Sequence, residues 1–367
     1  MAGGRVTNFT SGQGLILMKE VLYVISGKRL PVVFHIGARA ITSQSLNIHC
    51  GHDDVMGVAD CGWGMLFARN AQEAADLALI ARRAAEHSET PFFNVQDGFL
   101  TTHTIESVML PEPEMMAFYI EPPQERLRAL FDPATPMLSG CVQNQESYMK
   151  GRVAQRLFFE RVRPALKAAM DEYADLTGRR YDLVRPYRME DAEYAIVGMG
   201  SMMETAEATV DYLRSKGVAI GAVTVTSFRP FPSQELASAL LGCRAVTIIE
   251  RTDQPLRRLQ RHDQERPRGV RQLQRLEATV LGGVCDGDHL APLRGPADDA
   301  FTKLEMSDLA EAFGVRKCRY GGQCTAVLVH QKHSGCVTVH QVRRSLEHEV
   351  DRLLQFQAGR EEIADLT

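Results

Sequence analysis

Hydrophobic and polar positions alternate along the chain with two distinct periods. Residues 70–89, "NAQEAADLALIARRAAEHSE", repeat alanine and leucine at helical spacing, with Glu73, Asp76, Arg82 and Arg83 on the other face, which predicts an amphipathic helix. Asn70 stands where its N-cap should be, and Glu73 lies three residues on, the reach of a capping box. "TPFFNVQDGF" (90–99) follows as a short apolar run ending in Asp-Gly, and "LPVVFHI" (30–36) is a similar run after the turn signal Ser26-Gly27. Both predict buried strands. A helix followed at once by a wholly apolar strand points to α/β architecture, with a parallel sheet covered on both faces.

A second round begins near residue 181. "AEYAIVGMGS" predicts a strand ending in glycines, and "METAEATVDYLRSKG" an amphipathic helix closed by Gly217. "AIGAVTVTSFRPF", "SQELASALLG" and "RAVTIIERTDQP" continue as strand, helix and strand. Between the rounds, 161–182 reads as a helix ending at Gly178, and the domain boundary is placed there. This divides the chain into a first domain over 1–180, a second over 181–255 and an atypical tail over 256–367. The tail opens with "LRRLQRHDQERPRGVRQLQRL", rich in Arg and Gln and without lysine; one helix is expected in it, around 341–356. Three readings of it stand: a poorly packed appendage, a basic arm for nucleic acid, or a segment translated in a shifted frame.

Composition narrows the classes. At 367 residues the chain can bury two cores, and 44% apolar with 24% charged content is that of a globular protein. A net charge of −4 gives no basis for nucleic-acid binding overall. The start, "MAGGRVTNFTSGQG", has no apolar core of a signal peptide. "LILMKEVLYVI" is broken by Lys19 and Glu20 and is too short to span a bilayer. A cytoplasmic protein with no membrane attachment is expected, its eight cysteines reduced. None forms C-x-x-C, and Cys318, Cys324 and Cys336 are too loosely spaced for an iron–sulfur cluster.

Each predicted strand ends in polar or glycine residues, among them Gly37-Ala38-Arg39 and Gln96-Asp97-Gly98, as the ligand-facing edge of an α/β sheet does. Arg39 is the sharpest candidate. Its guanidinium is permanently charged and forked to match a carboxylate, so just past a buried strand it needs either an internal acid or an anionic substrate. The neighbouring His49, Cys50, His52, Asp53 and Asp54 do not have a recurrent zinc spacing. They read as hydrogen-bonding loop residues, and no metal site is expected. Thr102 and His103 are candidates to line a polar site with Asp97, the alternative being an N-cap on a helix that follows. "GMGSMMETAEA" is half a dinucleotide fingerprint with Met203 in the third glycine position, a weak signal.

Taken together, ordered motifs carry more than spacing does. "TNFTSGQGLILM", "FHIGARAITSQSLNIHCGHDDVMGVADCGWGMLFARNAQEAADLALIARRAAEHSETPFFNVQDGFLTTH", "CVQNQESYMKGR", "LTGRRYD", "DAEYAIVGMGS", "FRPFP" and "ERTDQP" closely resemble the pyruvate:ferredoxin (flavodoxin) oxidoreductases from about residue 6 to 255. The resemblance implies that 1–180 is most of a pyrimidine-binding, pyruvate-side domain of thiamin-diphosphate-enzyme fold. It implies a smaller domain after it, like the C-terminal domain of transketolase.

The implied reaction is oxidative decarboxylation of pyruvate, or a related 2-oxoacid, on thiamin diphosphate. Coenzyme A takes the acetyl group, and electrons pass through iron–sulfur clusters to ferredoxin or flavodoxin. The arginine of the motif matching "GARA" binds the substrate carboxylate in that family, which makes Arg39 the substrate-binding residue. The family's catalytic glutamate is expected upstream of the first residue here, so no catalytic residue is assigned. The iron–sulfur clusters, the magnesium and the diphosphate-binding domain are expected in missing domains, since Asp97-Gly98 and Asp286-Gly287 lack that domain's context. The resemblance stops after Pro255, where composition also changes. The expectation is a partial oxidoreductase, inactive alone and homodimeric or completed by other subunits. The alternatives are one subunit of a split enzyme and a non-catalytic dimerisation remnant.

Overall fold

The computed structural model describes residues 1–123, 127, 130–252 and three strands further on, 315–317, 326–330 and 336–340. It divides into two compact units: Met1–Arg185 with Val225–Pro232, and Pro186–Thr224 with the chain from Ser233.

In the first unit the order is β1 (Thr7–Thr10), α1 (Gly12–Leu17), α2 (Lys19–Gly27), β2 (Val33–Ala38), α3 (Asp53–Met56), β3 (Gly64–Phe67), α4 (Ala71–Ser88) and β4 (Phe92–Asp97). After α5 (Pro113–Ile120), α6 (Gln145–Phe159) and α7 (Val162–Thr177) complete the helices. The sheet runs β1-β2-β4-β3, all parallel, and closes with β8 (Ser227–Arg229) antiparallel to β3. The predicted helix of 70–89 is α4. The Asn70 side chain accepts from the Glu73 amide at 2.9 Å, which satisfies one of the otherwise unbonded amides at the helix start, while Glu73 turns back to accept at 2.9 Å from the N–H of Arg69, the residue before the cap.

One face of the sheet packs on α4 and α7. Leu77, Ile80, Ala81 and Ala84 meet Leu66 and Phe92 on one side and Leu166, Met170 and Tyr173 on the other; each large side chain so buried stabilises by about 1.5–3 kcal/mol. On the opposite face Trp63 stacks on Phe93 at 4.3 Å, and its indole N–H donates to the Leu22 carbonyl of α2 at 2.9 Å. Helix α7 ends at Gly178 in the left-handed region, φ 73°, where glycine carries no Cβ penalty. Just beyond, Arg179 and Tyr181 reach the fully buried Asp76 of α4 at 2.6 and 2.7 Å, and Tyr173 does so at 2.6 Å. Burial alone would push the Asp76 carboxyl up, but these donors outweigh it and hold it below the usual range.

The second unit is built on β6 (Tyr194–Gly198), α8 (Met202–Ser215), β7 (Ile220–Val225), α9 (Ser233–Ala239) and β9 (Ala245–Glu250). Its sheet runs β10-β11-β12-β9-β6-β7-β5, with β5 (Val184–Tyr187), β10 (Val315–Lys317), β11 (Ala326–His330) and β12 (Cys336–His340). Strands β7, β6 and β9 are parallel, and β12 joins β9 antiparallel. Met203 is wholly buried among Ile196, Ala206 and Ile249, so the third fingerprint position fills a core instead of leaving room for a pyrophosphate.

The run 219–231, expected as one strand of the second domain, is two strands in different sheets. The chain turns at Thr226: the amides of Thr226 and Ser227 both donate to the Leu183 carbonyl at 3.0 Å, and Phe67 N–H takes the Thr226 carbonyl at 2.8 Å. Residues 225–232 therefore group with the first compact unit, whose main stretch runs to Arg185. Beyond the three strands, the expected tail of 256–367, with its helix around 341–356 and Asp286-Gly287, lies outside the described residues. No helix among the described residues is long and apolar enough to cross a membrane.

Candidate functional site

Because β1, β2 and β4 are neighbours and parallel, their carboxyl ends fall on one edge. Thr10-Ser11-Gly12, Ala38-Arg39 and Asp97-Gly98 are thereby brought side by side, with Ala38 in register with Asp97. One buried carboxylate ties them. Asp54 Oδ2 accepts from Gly12 N–H at 2.8 Å and from Arg39 N–H at 3.1 Å, and Oδ1 accepts from Val55 N–H at 2.8 Å. Burial pushes the Asp54 carboxyl up to about 6 in spite of these three amides.

The backbone of Arg39 is thus fixed, and its side chain is confined by Gly98. A Cβ on Gly98 would come within 2.7 Å of the Ala38 carbonyl oxygen and 2.9 Å of Arg39 Cγ, so glycine is what lets the arginine stem lie there. The guanidinium sits 5.2 Å above the Phe99 ring. Among the described residues it has no acidic partner, and its Nε is buried with no hydrogen bond. Phe99 is in turn sandwiched: the His103 ring stacks on it at 4.2 Å and 4°, and His49 meets it edge-on at 5.0 Å. Thr102 Oγ1 accepts from Phe99 N–H at 2.9 Å and lies 2.7 Å from His103 Nδ1.

Of the residues singled out from sequence, Arg39, Thr102 and His103 therefore gather around one aromatic platform. Asp97 is at the same edge, but its carboxylate turns inward, with Oδ1 2.9 Å from His52 Nε2. Residues 98–103 form turns, and the next helix starts only at Pro113, so the alternative of a Thr/Asp N-cap does not occur. In the "HCGHDD" stretch, Asp53 and Asp54 occupy the first turn of α3 and bind loop amides, Asp53 through Ile41 N–H at 3.4 Å. Phe99 and the knot at Asp54 carried no sequence signal of their role; an aromatic after Asp-Gly and an acid in a polar run are both common.

As a thiamin site the described residues fit in part. An unpartnered cation on an aromatic shelf suits the small carboxylate of a substrate. A diphosphate anchor is another matter: Asp97, in the one described Asp-Gly that ends a strand, is committed to His52.

Residues 1–171 match the family described as pyruvate flavodoxin/ferredoxin oxidoreductase, thiamine-diphosphate-binding, and residues 192–260 match the pyruvate:ferredoxin oxidoreductase core domain II. A pyruvate-flavodoxin oxidoreductase of Nostoc sp. is 39% identical over 259 residues, 69% of this chain and 63% of its own length. The pyruvate synthase subunit PorA of Thermotoga maritima is 35% identical over 252 residues, 68% of this chain and 64% of that subunit. The pyruvate:ferredoxin oxidoreductase of Moorella thermoacetica is 37% identical, but the match covers only 22% of it. The chain thus spans less than two thirds of each of these relatives. Among solved structures, the 2-oxoglutarate:ferredoxin oxidoreductase of Magnetococcus marinus superposes with a TM-score of 0.52 at 17% identity, covering 76% of this chain and 48% of that one. That likeness is one of fold, and the fold is the α/β architecture of a thiamin-diphosphate-binding domain.

Proposed function

Because the chain belongs to the pyruvate flavodoxin/ferredoxin oxidoreductase family, we propose that it supplies the pyruvate-side part of a 2-oxoacid:ferredoxin or flavodoxin oxidoreductase. That enzyme decarboxylates pyruvate oxidatively to acetyl-CoA. The observation that carries the reading is the unpartnered guanidinium of Arg39 at the carboxyl edge of a parallel sheet. A cation held there gains most from an anion that docks from outside. Its fork binds the pyruvate carboxylate, and the Phe99 shelf flanks it. Thr102 and His103 line the same mouth and can orient the 2-oxo group by hydrogen bonding. Thiamin diphosphate, once bound, supplies the carbanion-stabilising chemistry of the family; this chain's residues bind and orient the substrate.

The diphosphate anchor, the iron–sulfur clusters and the docking surface for ferredoxin or flavodoxin are assigned to complementing chains in the cytoplasm. The similarity to a separate subunit, PorA, supports this arrangement. The alternative, a dimerisation remnant without catalysis, predicts a different outcome of one experiment. The full chain is mixed with the other subunits of a 2-oxoacid oxidoreductase, thiamin diphosphate and coenzyme A, and pyruvate-dependent viologen reduction is followed. Activity is expected only in the mixture, with Arg39→Lys raising the pyruvate KM at least tenfold. Dye reduction by the chain alone refutes the need for complementing subunits. No activity in any mixture, or an unchanged KM in Arg39→Lys, refutes the assignment itself.

A further inference from the structure

Beneath the Arg39 platform lies a second constellation, and it is not explained by pyruvate. Cys50, His52 and Asp97 each offer one ligand atom, and these atoms all lie within 4.8 Å of one another. All three side chains are buried: Cys50 is 2% exposed, His52 and Asp97 0%. They come from two distant segments, the loop between β2 and α3 and the last residue of β4. The loop is held in place independently, since Ala40 N–H donates to the His49 carbonyl at 3.2 Å and Gly51 packs directly on the Ala40 backbone. A second observation is an orphaned atom. His52 Nδ1 is buried with no hydrogen-bond partner, although a neutral imidazole inside a protein ordinarily satisfies both nitrogens.

We propose that Cys50, His52 and Asp97 form a binding site for a divalent transition-metal ion of the zinc class, which clasps the β2–α3 loop to the end of β4. The donor set is one thiolate, one imidazole and one carboxylate, borderline to soft, which zinc and cobalt accept and magnesium does not. Three protein ligands leave a fourth tetrahedral position for water. Bond lengths of about 2.0–2.3 Å place tetrahedral ligands roughly 3.3–3.8 Å apart. The separations present, from 2.9 Å between His52 Nε2 and Asp97 Oδ1 to 4.8 Å at most, bracket these values; the ion takes the place of the His52–Asp97 hydrogen bond, and side-chain rotation supplies the adjustment. Charge also balances: thiolate and carboxylate together neutralise a dication at a site whose three side chains are buried. Binding displaces the Cys50 thiol proton to solvent.

The test uses the full chain and Co2+ alone as the probe. Titration of wild type is expected to give one ion per chain, a thiolate-to-cobalt charge-transfer band in the near ultraviolet, and release of about one proton. Cys50→Ser should abolish the band, and Asp97→Asn should weaken binding more than tenfold. Cys141→Ser, at an exposed cysteine, should leave both untouched. Circular dichroism checks that each variant is folded. Should Cys50→Ser not fold, Cys50→Ala and the wild-type proton count decide in its place. A folded wild type that takes up no cobalt, or a band that survives intact in either Cys50 variant, overturns the site.

Discussion

Replacing Arg39 by methionine separates what this residue does for binding from what it does for folding. In the folded chain its Nε is buried and unbonded, and an unsatisfied buried donor costs about 1–3 kcal/mol. Against this stands the cation–π contact with Phe99 at 5.2 Å, worth about 0.5–1 kcal/mol at a partly exposed site. Methionine has a flexible unbranched stem that can lie along Gly98, and its sulfur regains part of the aromatic contact. The net effect is a stabilisation of about 1 kcal/mol, which for 150–250 residues raises Tm by about 2–4 °C. Ligand works in the opposite sense. Pyruvate at ten times its Kd should stabilise wild type by about 1.4 kcal/mol through mass action and should do nothing for Arg39→Met. The assay is thermal unfolding of both proteins with pyruvate, and with chloride at matched ionic strength as the control for screening. A variant less stable than wild type by more than about 1 kcal/mol would mean that the guanidinium has an internal partner after all. A pyruvate shift that persists in the variant would place the anion elsewhere.

Two further perturbations test the frame around this residue. Gly98→Ala puts a methyl 2.7 Å from the Ala38 carbonyl oxygen and 2.9 Å from Arg39 Cγ, so the stem must move; a destabilisation of about 1–3 kcal/mol and loss of the pyruvate-induced Tm shift are expected, and a fully retained shift would show that the confinement is irrelevant. Burial first, and then the charge of Arg82, hold His35 down at about 4. Its Nδ1 accepts from Asn94 Nδ2 at 3.1 Å, an amino group also engaged with the Ala74 carbonyl at 2.8 Å. Between pH 6.5 and 4 the unfolded chain therefore takes a proton that the folded one refuses, and stability falls as pH falls. After discounting for the partly exposed ring the loss is about 1–2 kcal/mol. Asp54, raised to about 6, acts with the opposite sign over about 4–6, so the readout is the difference between wild type and His35→Gln in urea unfolding at pH 7 and pH 4.5. His35→Gln should lose less stability than wild type on acidification, and an equal loss would count against the assignment.

Helix α4 was legible in the sequence because it has an unambiguous period and an Asn70 cap that forms, and strands β2 and β4 because each is a short apolar run bounded by turn residues. Strand β1 was not. "TNFT" is short and polar, and it is a strand because its backbone pairs with β2. The change of sheet at Thr226 also left no local trace, since a run that is apolar throughout does not reveal which partner each half will take. At the site, Arg39 could be located from its place after an apolar run, yet nothing in the spacing could tell that it lacks an acid. The approach of Cys50 and His52 to Asp97 depends on the parallel register that sets Ala38 beside Asp97. Residues about 45 positions apart were joined by strand pairing, and reading metal-ligand spacings along the chain cannot find such a set.

The first unit positions a cation without pairing it, and the two tasks fall to different atoms. A salt bridge would hold Arg39 still but would also neutralise it. Here the main chain is held instead: Asp54 binds the amides of Gly12, Arg39 and Val55, and Gly98 and Phe99 bound the stem from the sides. The negative charge that would otherwise attract the guanidinium is occupied with backbone N–H groups. Its burial carries a cost, visible in a carboxyl pushed up to about 6, and the knot between β1, β2 and α3 is what offsets it. A site built this way would bind an anion with little reorganisation, because the side chain proposed to meet the carboxylate is already placed and has no hydrogen bond at its Nε. By the same reasoning, the most damaging substitution short of Arg39 itself is one that frees the Asp54 carboxylate to turn toward the guanidinium.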